Sequence, residues 1–237
     1  MSVRVFGLDF KGVNLSDLLE VNDEFKFIVT VNSEFIVTAH SDSRFMNLIN
    51  SNYSTFDGQI PFFFAKLITR KNIEKISGSD LIYDILNVSK SNKKKVFLLG
   101  DNEESNKLAV RRAREHFGSD CYGFSPPHES YPFSNKLNES ILNEIKKVQP
   151  YYLFVAFGAK KQEFWIEDNK DKLEKCGVKF VVGCGGSISF LAESINRAPT
   201  FIQKIGLEGV YRFIQEPKFF RLKRIAKSFL FFKYIGK

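Results

Sequence analysis

Two runs of apolar residues constrain the fold of this chain more than any other feature. The runs KVFLLG at residues 95–100 and YLFVAFG at residues 152–158 are apolar nearly throughout, which is typical of strands covered on both faces of a parallel sheet. Other strand-like runs rich in Val, Ile, Phe and Tyr alternate with segments of helical periodicity. This alternation predicts an α/β fold, with a Rossmann-like, mostly parallel sheet flanked by helices.

The same patterns predict where each element begins and ends. We expect strands at residues 4–8, 25–31, 53–56, 95–100, 120–123, 152–157 and 178–183. We expect helices at residues 33–50, with Ser33 as the N-cap, and at residues 60–69, 79–89, 103–117, 134–147 and 160–176. Because no linker is evident before Pro199, we expect a catalytic core at residues 1–199 and a C-terminal helical appendage at residues 200–237.

Composition narrows the class of protein. The 237 residues are 43% hydrophobic and 26% charged, as in ordinary folded proteins. The three cysteines, Cys121, Cys176 and Cys184, are far apart and form no C-x-x-C pair, which favours a reducing compartment and argues against a zinc site. No signal-peptide pattern occurs, and no apolar run approaches the roughly 20 residues that cross a bilayer. We therefore expect a cytoplasmic protein without a membrane-spanning segment.

Most of the formal net charge of +8 lies at the C-terminus. Residues 217–237 hold seven cations, Lys218 among them, and no acid, which leaves +1 for residues 1–216. On a helix, one side collects Phe219, Leu222, Ile225, Ala226, Phe229 and Leu230, and the other collects Arg221, Lys223, Arg224 and Lys227, with Phe220 among the cations.

This amphipathic pattern favours a basic helical appendage that lies on an anionic membrane surface through residues 217–237. A C-terminal helix docked on the body of the protein, with a solvated basic face, is the alternative. Nucleic-acid binding is disfavoured, because a basic arm of that kind rarely needs so many Phe side chains.

Polar residues and glycines follow four of the predicted strands. In an open α/β sheet, ligands bind beyond the carboxyl ends of the strands. The residues at these positions are Thr30 and Asn32, then Asp57 and Gly58, then Gly158, Lys160, Lys161, Gln162 and Glu163, and finally Gly183, Gly185, Gly186 and Ser187.

Each of these stretches also has a structural interpretation. An Asp57-Gly58 pair is typical of a hairpin turn, but the helix-like apolar block at residues 60–69 favours a strand–loop–helix edge with Asp57 at the strand end. The turn at Gly185 and Gly186 suits a diphosphate, although tight packing explains glycines equally well. Asn32 is as well suited to capping the next helix as to binding a ligand.

Ten short motifs occur in a characteristic order. They are T-V-N at residues 30–32, D-G at 57–58, G-S-D-L at 78–81, F-L-L-G at 97–100, G-A-K-K-Q-E at 158–163, G-G-S at 185–187, R-A-P at 197–199, G-L-E at 206–208, Y-R at 211–212 and E-P at 216–217. Together they resemble the WecG/TagA/CpsF family of bacterial glycosyltransferases, from about residue 6 to residue 227.

The resemblance implies an inverting transferase in cell-surface polysaccharide synthesis. Such an enzyme moves N-acetylmannosamine, its uronic acid or a related hexose from a UDP-sugar to a polyprenyl-diphosphate-linked saccharide, at the inner face of the cell membrane. It implies Asp57 as the general base and Thr30, Asn32 and Gln162 as pocket residues. It further implies a C-terminal segment with Arg212, Arg221 and Arg224 that closes over the site. It does not decide whether the protein forms a homo-oligomer.

The departing UDP needs positive groups or a metal. No Asp-x-Asp flanked by an apolar strand occurs, so we expect no metal and no cofactor, with cations and backbone donors receiving the leaving group. The expected substrate-binding residues besides those above are Gly58, Lys75, Glu163, Gly185, Gly186, Arg197 and Glu208.

Five positions depart from the family pattern. Lys75 stands where the family usually has arginine, and Lys160 replaces a proline. Ser189 replaces a common aspartate, Glu193 a common glycine, and Gly209 a tryptophan. The donor sugar therefore stays open. Two other classes also stay open: a nucleotide-dependent oxidoreductase, which would need a tighter glycine fingerprint, and a non-catalytic basic binding protein.

Overall fold

The computed structural model describes residues 2–215, 217 and 219–237, with the backbone alone for Phe220. Glu216 of the predicted E-P motif and the predicted tail cation Lys218 lie outside the described residues, as does the side chain of Phe220.

A small hairpin precedes the main sheet. Strands β1 (Val3–Val5) and β2 (Leu8–Phe10) pair antiparallel in a two-stranded sheet of their own. The single strand predicted at residues 4–8 is therefore wrong. Phe6 and Gly7 turn the chain there with φ of 59° and 71°, while the Phe6 side chain is fully buried.

The main sheet has six parallel strands, which confirms the predicted α/β class. Its strands are β3 (Lys26–Val31), β4 (Tyr53–Phe56), β5 (Val96–Gly100), β6 (Cys121–Phe124), β7 (Tyr152–Ala156) and β8 (Phe180–Gly183), in the order β4-β3-β8-β7-β5-β6. Every residue of β3, β5 and β8 is buried. This burial is what nearly continuous apolar runs require when both faces of a sheet are covered.

Most of the helices between the strands lie close to the predicted positions, whereas the short first helix was not predicted. They are α1 (Leu15–Leu19), α2 (Ser33–Ala39), α3 (Ser43–Ser51), α4 (Gln59–Thr69), α5 (Gly78–Asn92), α6 (Glu103–Phe117), α7 (Asn135–Val148), α8 (Lys161–Lys175), α9 (Ser187–Leu191), α10 (Thr200–Lys204), α11 (Glu208–Gln215) and α12 (Phe219–Phe229), followed by the 3₁₀ helix η1 (Leu230–Tyr234).

The helix predicted at residues 33–50 is wrong, because two helices occupy this segment. The Asp42 carboxylate accepts a hydrogen bond from the backbone N–H of Phe45 at 3.1 Å and so begins α3 as a new helix. The N-cap of α2 is Asn32 and not Ser33, since Asn32 Oδ1 accepts from the N–H of Phe35 at 3.0 Å. The capping interpretation of Asn32 is thus confirmed.

The described chain forms two compact units. The first comprises the residues up to 18, residues 29–77 and the residues from 197 onward, and the second comprises residues 19–28 and 78–196. The division at residue 199 into a core and an appendage stays a prediction.

The C-terminal segment packs within the first unit. Helix α12 and η1 lie against α2, and the fully buried Phe231 ring meets the edge of Phe6 with 4.9 Å between ring centroids. The His40 and Tyr234 rings stack at 4.0 Å. The basic C-terminal helix is therefore docked on its own unit, as the alternative interpretation predicted, but its basic face is not simply solvated, because Arg224 and Lys227 contact α2. Among the described residues, no helix has the length and apolar character to span a bilayer.

Candidate active site

Asp57 lies where β4 gives way to α4. Its backbone N–H donates to the carbonyl of Val31 at the end of β3, at 2.9 Å. Gly58 follows with φ of 102°, a conformation that favours glycine, and α4 begins at the next residue. The strand–loop–helix edge is thereby confirmed, the hairpin interpretation is wrong, and the half-buried Asp57 stands at a strand end.

Arg212 is within electrostatic range of Asp57. Burial lowers the pKa of the Arg212 guanidinium below its ordinary value. Glu208 and Asp57 oppose that shift through their negative charge, whereas Arg221 and Arg224 add to it. An arginine remains charged under these conditions. The first unit thus brings together the predicted base, the predicted site residue Glu208 and three predicted substrate arginines.

Helix α12 is held by a partner that the sequence did not reveal. Arg224 Nε donates to Glu34 Oε2 at 2.5 Å, and Lys227 Nζ donates to Thr38 Oγ1 at 2.7 Å. Both acceptors lie on α2, which begins directly after Asn32. Arg224 therefore has an intramolecular ion-pair partner besides any substrate phosphate.

The remaining predicted residues of the first unit lie on neighbouring segments. Thr30 is buried in β3. The half-buried Lys75 bridges to Phe56 at the end of β4, where the N–H of Ile76 donates to the Phe56 carbonyl at 3.0 Å. Arg197 is half-buried in the extended segment before α10.

In the second unit, Gln162 and Glu163 clamp the glycine turn after β8. Gln162 Nε2 donates to Glu163 Oε1 at 2.8 Å, and Gln162 Oε1 accepts from the N–H of Gly185 at 3.2 Å. Both side chains are buried. A Cβ at Gly183 would lie 2.6 Å from each of them, so the clamp requires glycine there. Gln162 positions the turn in this structure.

The glycine turn itself is open. A Cβ placed at Gly185, where φ is 52°, would meet no other heavy atom within 4 Å. Gly186 is the N-cap of α9 and carries no side-chain cap. The Gly185 N–H is already held by Gln162, so the role of this turn in binding phosphate stays a prediction.

An unpredicted carboxylate lies at the end of β5. Asp101 has φ of 61°, unusual for a residue other than glycine, and its Oδ2 accepts a short hydrogen bond from Ser189 Oγ. Ser189 stands where the family pattern commonly has aspartate, so Asp101 brings a carboxylate to that position from another strand. Burial first, and then the Asp101 charge, raise the pKa of the nearby Cys184 thiol.

Two further departures from the family pattern have a backbone explanation. Glu193 has φ of 53°, which accounts for glycine being common there, and its carboxylate pairs with Arg112. Lys160 has φ of 66°, which a proline cannot adopt. The turn before α8 therefore differs from one that contains proline.

No group of three His, Cys, Asp or Glu side chains suited to a metal ion occurs within residues 2–215, 217 and 219–237. A parallel α/β sheet with a carboxylate at one strand end, and with arginines in the same compact unit, suits transfer of a group from an anionic leaving group to an alcohol. These features define the class as a group-transfer enzyme.

Sequence comparison gives the family. The profile of the WecG/TagA/CpsF glycosyl transferase family matches residues 3–235, and the chain belongs to this family. It is a glycosyltransferase of the hexosyltransferase type. The oxidoreductase and the non-catalytic binding protein are set aside by this result.

Three proteins of Staphylococcus aureus are similar to this chain over almost its whole length. The proteins of strains MRSA252, MW2 and NCTC 8325 are each 28% identical over 244 residues, covering 99% of this chain and 92% of the relative. Each is named N-acetylglucosaminyldiphosphoundecaprenol N-acetyl-beta-D-mannosaminyltransferase.

Proposed function

We propose that this protein transfers N-acetylmannosamine or a closely related hexose from a UDP-sugar to a polyprenyl-diphosphate-linked saccharide, with inversion at the anomeric carbon. The relatives' name supports both the class of sugar and the lipid-linked acceptor. The observation that carries the mechanism is the position of the half-buried Asp57 carboxylate at the carboxyl end of β4, directly before Gly58 and α4. No cofactor beyond the donor is needed.

Asp57 acts as the general base. Its carboxylate takes the proton of the acceptor hydroxyl while that oxygen attacks the anomeric carbon from the side opposite UDP. The bond between the anomeric carbon and the phosphate oxygen breaks, and its electron pair leaves with UDP. General base catalysis of this kind contributes roughly 10²–10⁴-fold to the rate.

Positive groups receive the departing nucleotide without a metal. Arg221 and Arg224 lie close enough to Arg212 to act on its charge, and we assign to these three cations the stabilisation of the negative charge that develops in the transition state. We assign Lys75 and Arg197 to the same task in the first unit.

Residues 217–237 dock the enzyme on the anionic cytoplasmic leaflet. Arg221 and Arg224 lie on α12 together with the exposed Lys223, so one helix carries both site arginines and a cation available to anionic headgroups. Membrane docking and completion of the site are then a single event.

The substitution Asp57→Asn tests the mechanism. We expect transfer from a panel of UDP-sugars to lipid-linked N-acetylglucosamine to fall by roughly 10²–10⁴-fold. Asp171→Asn, on the exposed side of α8, is the matched control and should keep full activity. Undiminished transfer by Asp57→Asn would refute the role of this carboxylate.

A further inference from the structure

Helix α4 exposes a row of large apolar side chains. Phe63 is 57% exposed and Leu67 is 62% exposed, and Ile68 follows one residue later. Phe63 and Leu67 are four residues apart and therefore lie one above the other on the same helix face. Large apolar side chains grouped in this way on a protein surface mark an interaction site.

We propose that α4 is a second lipid-contacting element, which inserts its Phe63–Leu67 face into an anionic bilayer beside the C-terminal segment. The proposal goes beyond docking through residues 217–237. It nevertheless rests on the proposed function for its biological purpose.

The charge next to this face fits an anionic surface. Residues 59–73 contain Lys66, Arg70 and Lys71 and no acid. All three cations are exposed. Apolar side chains flanked by cations match the boundary between acyl chains and anionic headgroups.

Contacts within the first unit join α4 to the C-terminal helices. The Phe64 ring lies 6.0 Å from the Phe231 ring and 5.9 Å from the Phe232 ring, centroid to centroid. At the other end of α4, a Cβ on Gly206 would lie 2.9 Å from Ile60. Exposed apolar side chains on these segments include Phe232, which contacts Phe64, and Ile205 and Leu207, which flank Gly206. Exposed apolar side chains thus occur both on α4 and on C-terminal segments that contact it.

A second copy of the chain fits this surface less well than a bilayer does. In a two-fold dimer the same patch meets itself. The positively charged surface formed by α4 and η1 would then face the same positively charged surface of the second copy. Like charges brought together at an interface oppose association. Anionic headgroups reverse the sign of that interaction.

The position of α4 links lipid contact to chemistry. The helix begins at Gln59, two residues after Asp57. A bilayer that holds α4 therefore also fixes the height of the proposed base above the lipid surface, where the diphosphate of a lipid-linked acceptor lies.

Vesicle binding by paired variants tests the proposal. With vesicles of phosphatidylglycerol and phosphatidylcholine, we expect Phe63→Ser/Leu67→Ser to bind about tenfold or more weakly than the parent chain. The affinity of Lys66→Gln/Arg70→Gln for these vesicles should fall about fivefold per cation removed, and its affinity for pure phosphatidylcholine should not change. Val21→Ser, 40% exposed in the second unit, is the matched control and should bind normally.

A fluorescence measurement keeps the test independent of folding. The single native tryptophan, Trp165, is buried. In Phe63→Trp the added indole should shift to the blue on vesicle addition and be quenched by brominated lipid, whereas Val21→Trp should show neither effect. Unchanged binding by Phe63→Ser/Leu67→Ser, or no quenching of Phe63→Trp, would overturn the proposal.

Light scattering tests the alternative that a second copy of the chain covers this face. A dimer of the parent chain that dissociates in Phe63→Ser/Leu67→Ser without loss of vesicle binding would assign the face to a second copy and overturn the proposal. Vesicle binding needs no sugar transfer. If α4 governs binding but no UDP-sugar is used, the proposed function fails and this inference stands.

Discussion

Arg224 and Glu34 join the C-terminal helix α12 to α2 through a hydrogen-bonded ion pair of 2.5 Å. The pair links residues 190 positions apart in the chain. Because α2 follows directly from Asn32, a helix with predicted substrate arginines is fastened next to a strand end with predicted pocket residues. The ion pair therefore sets where α12 lies in the first unit.

A double-mutant cycle measures this fastening. Glu34→Gln and Arg224→Gln should each lower the free energy of unfolding by about 1 kcal/mol or less, because the arginine is partly exposed to solvent. The free energy of unfolding of the double variant should fall by less than the sum of the two single losses, with a coupling energy of about 0.5 kcal/mol measured by chemical denaturation. Lys223→Gln, on the same helix, should show no coupling to Glu34→Gln. Strict additivity of the first pair would contradict the fastening.

Arg212 should matter for turnover more than for affinity. Replacing it by Gln removes a positive group from the surroundings of Asp57, and we expect kcat to fall by roughly 10²–10³-fold. Arg212→Lys should restore part of the loss, since it keeps the charge without the planar fork. Arg111→Gln, exposed on α6, is the control. A change confined to KM would mean that Arg212 only binds the donor.

Gly183→Ala should destabilise the second unit. The added methyl group would lie 2.6 Å from the buried Gln162 and Glu163 side chains, and overpacking of this kind costs about 1–3 kcal/mol. Gly236→Ala meets no atom within 4 Å and should leave stability unchanged. Equal melting temperatures for the two variants would show that the clamp yields easily.

Buried thiols should make stability fall at high pH. Burial raises the pKa of Cys121 from its ordinary 9.0 to about 12, and it also raises the pKa of Cys184. The unfolded chain therefore loses these protons first, so their stabilising contribution is full below pH 9.0 and is lost as pH rises toward 12. Within that window, each thiol lowers the free energy of unfolding by about 1.4 kcal/mol for every unit by which the pH rises.

Melting curves recorded between pH 8 and pH 11 check this expectation. The combined variant Cys121→Ala/Cys184→Ala should show a shallower decline than the parent chain, after allowance for its lower starting stability. A parallel decline in both proteins would attribute the effect to other groups, such as Tyr151 and Tyr152, whose pKa values are also raised by burial.

Chelation should leave transfer unaffected. Cations at Arg212, Arg221 and Arg224 take the place of a divalent ion in the proposed mechanism, so millimolar EDTA should change the rate by less than about twofold. A transferase of known metal dependence, assayed in parallel, confirms that chelation is complete. A large loss that Mg²⁺ or Mn²⁺ reverses would contradict the metal-free mechanism.

The sequence predicts best what local periodicity determines. Residues 53–56 and 103–117 have the predicted bounds because β4, Tyr-Ser-Thr-Phe, is rich in residues that favour strands and ends at the Asp57-Gly58 turn, and because α6 has an Asn N-cap and a Gly C-cap. The errors come from short signals inside apolar stretches. Phe6, although fully buried, occupies a left-handed turn, and Asp42 caps a helix where continuous periodicity favoured one long helix.

Functional contacts were harder to predict because they join distant segments. Asp57 could be placed at a strand end from its neighbours alone. Glu34 and Asp101 could not be assigned, since their partners Arg224 and Ser189 are 190 and 88 positions away. The one available signal for Glu34 was an acid in the first turn after Asn32.

The closeness of Asp57 to α4 has a kinetic consequence. A base tied to a helix that rests on lipid meets its acceptor by diffusion in two dimensions. The rate should then follow the mole fraction of acceptor in the vesicle surface, and adding inert lipid at constant total acceptor should slow the enzyme by surface dilution.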